Sequence, residues 1–84
     1  MTRKIIPSNL VEYILSGQDD SFIQNDGGFY QIIIKNYEFG HFSSEKDIQM
    51  PYDLIFEDCK FSQNFFFKGS SKRNISFINC YHEE

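Results

Sequence analysis

Cysteine and histidine are the residue types in this chain most able to bind a metal or to act as nucleophiles. Four such side chains could supply the ligands of tetrahedral zinc: Cys59, Cys80, His41 and His82. Their spacing matches no structural zinc motif and includes no C-x-x-C pair, so we expect no metal and no cofactor. Glu57 and Asp58 directly precede Cys59, and their negative charge opposes thiolate formation. We therefore expect both cysteines to be reduced, inert residues of the core.

Carboxylates occur as adjacent doublets, which could form a hydrolytic pair only if both side chains reached one site. The doublets are Asp19-Asp20, Glu57-Asp58 and Glu83-Glu84. Neighbouring residues of a strand point to opposite faces, so Glu57 and Asp58 are not expected to share a site. The sequence also lacks a Ser-His-Asp arrangement, a P-loop and a dinucleotide-binding glycine motif. These absences favour a non-enzymatic protein.

The size and charge of the chain narrow its possible partners. Its 84 residues predict a single domain spanning 1–84. Twelve acidic residues against eight basic ones give a net charge of −4, which disfavours binding to nucleic-acid phosphates or to anionic membranes. Residues 1–7 lack the apolar segment of a signal peptide, and no apolar run reaches the roughly 18 residues that a membrane helix needs, so we expect neither feature. We expect a cytoplasmic protein.

One helix is predicted near residues 8–16. Asn9 is followed three positions later by Glu12, which is the pattern of a capping box at a helix start. Gly17 suits the left-handed residue that commonly ends a helix. Four apolar residues recur at helical spacing: Leu10, Val11, Ile14 and Leu15. We expect this stripe to dock the helix against the rest of the chain.

Strand signals dominate residues 21–82, in a chain that holds ten Phe and five Tyr. Segments 21–24 and 29–34 flank Gly27-Gly28, a pair that supplies the positive φ of a tight hairpin turn. Residues 40–47 are predicted to form a loop.

An internal repeat organises the strand region. Residues 53–60 align with residues 74–81 at a shift of 21 positions, and a weaker third copy spans residues 31–38. The equivalent pairs of the first two segments include Asp53/Asn74, Phe56/Phe77, Asp58/Asn79 and Cys59/Cys80. A period of this length predicts stacked parallel strands, with Phe56 and Phe77 stacked in one core.

This repeat resembles those of right-handed β-helix and pentapeptide-repeat-like proteins. Phe56, Phe61 and Phe66 recur every five residues, whereas Ser71 and Ser76 interrupt that pattern. The resemblance implies a mainly β fold with one N-terminal helix, in which a small solenoid of about three coils is capped by the helix. The alternative is an α+β fold, with the helix packed on an antiparallel sheet.

The triplet Phe65–Phe67 and the basic residues that follow it form the most distinctive candidate binding cluster. Those basic residues are Lys68, Lys72 and Arg73. Aromatic and basic residues in this mixture can bind single-stranded nucleic acid. Because successive strand residues alternate between faces, the triplet must expose at least one ring, and exposed rings mark protein interfaces more often. With the negative net charge, this favours a protein partner.

The best functional hypothesis is a small binding protein that inhibits or remodels a macromolecular partner. Acidic residues would face a basic surface of that partner: Glu57, Asp58, Glu83 and Glu84. In its short length, acidity and lack of catalytic motifs, the chain resembles small phage and mobile-element inhibitors, including anti-CRISPR proteins. That resemblance implies a bacterial nucleic-acid-handling defence enzyme as the target. The alternatives are a self-associating β-solenoid module and a single-strand nucleic-acid binder.

Overall fold

Strands make up most of the regular structure, and one helix precedes nearly all of them. A computed structural model describes residues 3–44, 46–68 and 74–83. Within these ranges lie helix α1 (Ser8–Leu15) and a single 3-10 turn (Asp20–Phe22). The strands are β1 (Lys4–Ile6), β2 (Ile23–Asp26), β3 (Phe29–Lys35), β4 (Tyr37–Phe39), β5 (Phe42–Ser43), β6 (Asp53–Glu57), β7 (Lys60–Phe61), β8 (Phe65–Phe66), β9 (Ile75–Ile78) and β10 (Tyr81–His82). The prediction of a mainly β chain with one N-terminal helix is confirmed.

The strands form three sheets that the chain visits in a repeating order. The sheets are β1-β4-β7-β10, β2-β3-β6-β9 and the pair β5-β8. Every pairing is parallel except that of β2 with β3. We name each passage through the sheets a layer: the first is β3-β4-β5, the second β6-β7-β8 and the third β9-β10. This strand content with one helix also fits the broader α+β class, but the pairs between layers are parallel rather than antiparallel.

The strand register aligns the same residues as the internal repeat. Ile34 lies opposite Phe56 in the β3–β6 pair, and Phe56 lies opposite Phe77 in the β6–β9 pair. The aspartate or asparagine after each of these strands has a left-handed backbone, with φ of 65° at Asn36, 54° at Asp58 and 53° at Asn79. Asparagine and aspartate tolerate this conformation better than other residues with a Cβ atom. They turn the chain from one sheet into the next.

The start of α1 corrects the predicted capping box. Pro7 is the N-cap, with φ −60° and ψ 142°, and no side chain caps the helix. Asn9 therefore lies inside the first turn and does not cap with Glu12. The reason is that Ile6 still belongs to β1 and pairs with β4, so the chain changes direction at Pro7, whose ring already fixes a suitable φ.

The end of α1 confirms the role expected of Gly17. Its φ is 78°, and its N–H donates to the carbonyl of Ile14 at 3.1 Å. The N–H of Gln18 donates to the carbonyl of Tyr13, also at 3.1 Å. These two bonds form a Schellman motif, which satisfies carbonyls that a helix end leaves unpaired.

The predicted hairpin is present, with its first strand displaced. Asp26 pairs with Phe29, so Gly27 and Gly28 alone form the loop, with φ of 60° and 95°. Positive φ at both positions is typical of a type I′ turn. The strand begins at Ile23, because the residues before it form the 3-10 turn.

Residues 40–47 are not entirely a loop, as the sequence suggested. Phe42 and Ser43 form β5, which pairs with Phe65 and Phe66 of β8. A two-residue strand has no periodicity of its own to read, and this one exists because of a partner more than twenty positions away.

The core combines inward residues of all three sheets, one face of α1 and apolar residues of the segment before β6. The buried apolar residues are Ile6, Val11, Ile14, Leu15, Ile32, Ile34, Phe39, Ile48, Met50, Leu54, Phe56, Cys59, Phe61 and Phe65. Phe39 is central, with its ring centroid 5.1 Å from that of Phe61 and 5.0 Å from that of Phe65. Leu10, predicted to belong to the buried stripe of α1, is exposed.

Candidate binding surface

The third layer leaves part of the aromatic core uncovered. Phe77 stacks on Phe56 with a centroid distance of 5.2 Å and an interplanar angle of 10°. Phe56 is 0% exposed, whereas Phe77 is 57% exposed. The stacking of the two rings is confirmed, but the expectation that both are enclosed in one core is wrong for Phe77. Its outer face lies at the end of the stack, where no described layer covers it.

The phenylalanine triplet contributes to the same end of the molecule. Phe65 is buried, Phe67 is half-buried and Phe66 is 61% exposed, so Phe66 is the outward ring that alternation required. A shallow cavity of ≈ 240 Å³ opens here. It is lined by Phe61, Phe65, Phe66, Phe67, Phe77 and His82. We name β9, β10 and this cavity the open end.

Charged residues of the second layer have uncharged equivalents at the open end. The pairs are Asp53/Asn74, Glu57/Ile78, Asp58/Asn79 and Lys60/Tyr81. Residues 74–82 therefore hold no Asp, Glu, Lys or Arg. Terminal repeats and exposed edge strands normally carry charge, which protects them from adding further strands. The outer strands at the opposite end follow that rule, with Lys4 on β1 and Asp26 on β2.

Ile78 and Tyr81 belong to this surface, although the sequence analysis did not select them. Ile78 is 48% exposed and Tyr81 is 57% exposed. The signal that could have found them is the same loss of charge, visible when residues 74–81 are aligned with residues 53–60.

The backbone of β9 also offers unpaired groups at the open end. The carbonyl oxygens of Asn74 and Ile78 accept hydrogen bonds from the β6 side, at 2.9 and 3.0 Å. The backbone N–H and C=O groups of successive strand residues point to alternate sides of the strand. The backbone groups of Ser76 therefore also face β6, while those of Ile75 and Phe77 face the outer edge of the sheet. Among the residues the structure describes, no strand pairs with that edge.

The acidic residues selected from the sequence are only partly free to meet a partner. Glu57 forms an ion pair with Lys35 at 3.0 Å, and this hydrogen bond raises the pKa of Lys35. The Oδ1 atom of Asp58 accepts a hydrogen bond from Nδ2 of Asn79 at 2.6 Å. Glu83 is exposed directly after β10. Glu84 lies outside the described residues.

Of the three basic residues in the proposed aromatic and basic cluster, the structure describes only Lys68. Lys68 is exposed, and its backbone N–H donates to Oγ of Ser44 at 2.8 Å. Lys72 and Arg73 lie outside the described residues, so the structure does not place them beside the phenylalanine triplet.

The two cysteines occupy equivalent positions in successive layers. The Cys59 thiol donates to the carbonyl of Ile34, and the Cys80 thiol donates to that of Phe56, both at 3.3 Å. Both thiols are free. Burial raises the pKa of the Cys59 thiol, so burial replaces the acidic neighbours as the main cause of its low acidity. Within the described ranges, no three or more His, Cys, Asp or Glu side chains are arranged to hold a metal.

The difference in burial predicts an order of thiol reactivity. Cys59 is fully buried and Cys80 is half-buried, so Cys80 should react first with a thiol reagent and Cys59 only when the chain opens. Timed labelling of the folded protein, followed by peptide mass spectrometry, measures this order. The Cys80→Ser variant is the control and should lose the faster phase alone. Rapid labelling of Cys59 in the native protein would contradict the placement of its thiol.

Comparisons with known proteins give no relative from which a function could be transferred. No family model, no curated protein and no solved structure matches the chain. In the part of the chain that the structure describes, no helix is long and apolar enough to cross a membrane. The chemistry of the open end is therefore the main guide to function.

Proposed function

We propose that this is a non-enzymatic binding protein that recognises a protein partner through its open end. The observation that carries the proposal is the combination of exposed aromatic rings and missing charge on the outermost layer. Protein interfaces are enriched in aromatic residues and depleted of charge at their centre, and such rings often act as hot spots. The cavity beside Phe66 offers a receptor for an apolar side chain of the partner.

The same surface is poorly suited to nucleic acid. A protein that binds single-stranded nucleic acid needs basic side chains beside its aromatic rings to neutralise the phosphates. Among the described residues, Lys68 is the basic residue that follows the triplet, and Glu83 lies directly after β10. The net charge of −4 favours a partner whose surface is basic around an apolar centre, since complementary charge accelerates association. A partner held in this way is occluded rather than chemically changed, which agrees with an inhibitory role.

We also propose that the three layers are the coils of a short β-solenoid. This interpretation is supported by the similar shift between paired residues, 22 positions from β3 to β6 and 21 from β6 to β9, and by the left-handed residue after each of these strands. The strands β1 and β2 close the outer edges of β4 and β3, and α1 lines shallow cavities with β5 and residues 47–49. The end of the stack formed by the first layer is thus covered by other elements of the chain.

The proposal predicts that truncating Phe66 will weaken partner binding. The chain is used as bait in a bacterial lysate, and the Phe66→Ala bait is compared with the wild type. A hot spot worth about 2 kcal/mol corresponds to a roughly 30-fold weaker affinity, so partner recovery should fall strongly. The measurement is quantitative mass spectrometry of the captured proteins.

Phe29→Ala is the matched control for this experiment. Phe29 is 76% exposed on the hairpin, at the other edge of the β9 sheet. Its truncation should leave the captured proteins unchanged. Equal recovery by all three baits would contradict the proposal, as would capture of nucleic acid that survives high salt and is lost with Phe66→Ala.

A further inference from the structure

We infer that the open end also joins two copies of this chain, through antiparallel pairing of β9 with β9 of the second copy. The inference goes beyond the proposed function, because self-association and the binding of a basic partner would use the same surface in turn. Three observations support it. They are the backbone geometry of β9, the direction of its side chains relative to the core, and the distribution of charge between the two ends of the stack.

The backbone of β9 is self-complementary about Ser76. Ile75 and Phe77 each direct an N–H and a C=O to the outer edge, as the pairing with β6 requires. An antiparallel pair centred on Ser76 places Ile75 opposite Phe77 of the second copy. Each of the four edge groups on each strand then has a partner, and four hydrogen bonds join the copies. A pair centred on Phe77 would bring the left-handed Asn79 opposite Ile75 and lose this match.

The same register continues the core from one copy into the other. Ile75 and Phe77 are equivalent to the buried Leu54 and Phe56, so both face the interior of the stack. With Ile75 opposite Phe77 of the second copy, interior residues meet interior residues and the uncovered ring of Phe77 becomes covered. A slip of one residue would set interior against exterior positions along the whole strand, which makes this register specific.

Charge distribution selects an end-to-end dimer over a filament. Residues 74–82 contain no charged side chain, so two copies bring no like charges together along β9 and β10. A head-to-tail arrangement would instead set β9 against the outer edge of β2, which carries Asp26, and β10 against β1, which carries Lys4. Contact of one surface with itself closes after two copies, as in most homodimers.

The first experiment measures mass in solution. Size-exclusion chromatography with light scattering should give twice the chain mass of 10.0 kDa for the wild type. Ser76→Lys sets two ammonium groups directly opposite each other and should weaken dimerisation by about 10-fold or more, giving a monomer at the same concentration. Gln24→Lys is the matched control, since Gln24 is exposed on β2 at the other edge of the sheet, and it should remain dimeric.

The second experiment tests the register itself. In a Cys80→Ser background, Ser76→Cys should form an intermolecular disulfide under mild oxidation. The two residues would be a non-hydrogen-bonded pair with Cα atoms about 4.5 Å apart, within the range of disulfides. Gln24→Cys in the same background is the control and should cross-link much more slowly.

The outcomes separate this inference from the proposed function. A wild type that stays monomeric at high concentration, an assembly larger than a dimer, or equal cross-linking at positions 24 and 76 would overturn the second-copy inference. If such a monomer still loses its captured protein with Phe66→Ala, the open end binds a different protein and the proposed function stands. If the monomer captures the same proteins with and without that substitution, both are wrong.

Discussion

Replacing Phe56 with alanine is expected to lower the free energy of unfolding by about 3–5 kcal/mol, because a fully buried ring leaves a cavity that the core cannot close. The ring is 0% exposed and has aromatic neighbours on several sides. Its centroid lies 5.6 Å from that of Phe39, 5.1 Å from that of Phe61 and 5.2 Å from that of Phe77. Domains of this size are commonly stable by only about 5–10 kcal/mol, so the variant should be close to unfolding.

Phe77→Ala is the matched control for Phe56→Ala. The two rings stack in equivalent positions, but Phe77 keeps more than half of its surface in solvent, so the loss should be about 1–2 kcal/mol. Urea titration should compare both variants in the Ser76→Lys background, so that self-association does not contribute. Equal losses for the two variants would show that the open end is enclosed within a single chain.

The second large effect is expected at the end of α1. Gly17→Ala should lower the free energy of unfolding by about 1–3 kcal/mol, because alanine is strained in a left-handed backbone and its Cβ atom would clash with a neighbouring residue. The φ of Gly17 is 78°, and a Cβ atom there would lie 2.8 Å from Cγ of Pro51. The proline ring precedes β6, so relieving the clash would shift the strand that carries Phe56.

Thermal unfolding measures this effect directly. For a domain of 60–100 residues, each kcal/mol corresponds to a Tm change of about 4–8 °C. Gly40→Ala is the control, because a Cβ atom at Gly40 meets no atom within 4 Å and the residue has no positive φ. A Tm for Gly17→Ala as high as that of Gly40→Ala would contradict the close approach of α1 to Pro51.

Features set by neighbouring residues could be predicted from the sequence. Gly27-Gly28 permits a turn that few other pairs allow, and Gly17 ends a helix for the same reason. The register of the layers could also be predicted, because Phe56 and Phe77 occupy equivalent positions in two similar segments. In each case the residue type restricts the local backbone, or the repeat itself defines the alignment.

Features that depend on distant partners could not be predicted. The strand β1 and its connection at Pro7 exist because β1 pairs with β4, and this pairing displaced the expected capping box at Asn9. Burial of Phe77 could not be judged from its own segment, because it depends on whether another layer follows in space. For the same reason the sequence predicts that at least one ring of the phenylalanine triplet is exposed, but only the structure identifies that ring as Phe66.

The similar spacing of the layers has a consequence for the order in which the chain folds. Each added layer joins residues 21 to 23 positions apart, so each closure has a similar entropic cost. The hairpin of β2 and β3 has the shortest loop, and the elements that cover the first layer come early in the chain. During synthesis the N-terminal part can therefore assemble first and template each later layer. The uncharged edge of β9 then forms last, which shortens the time during which it can pair with the wrong strand.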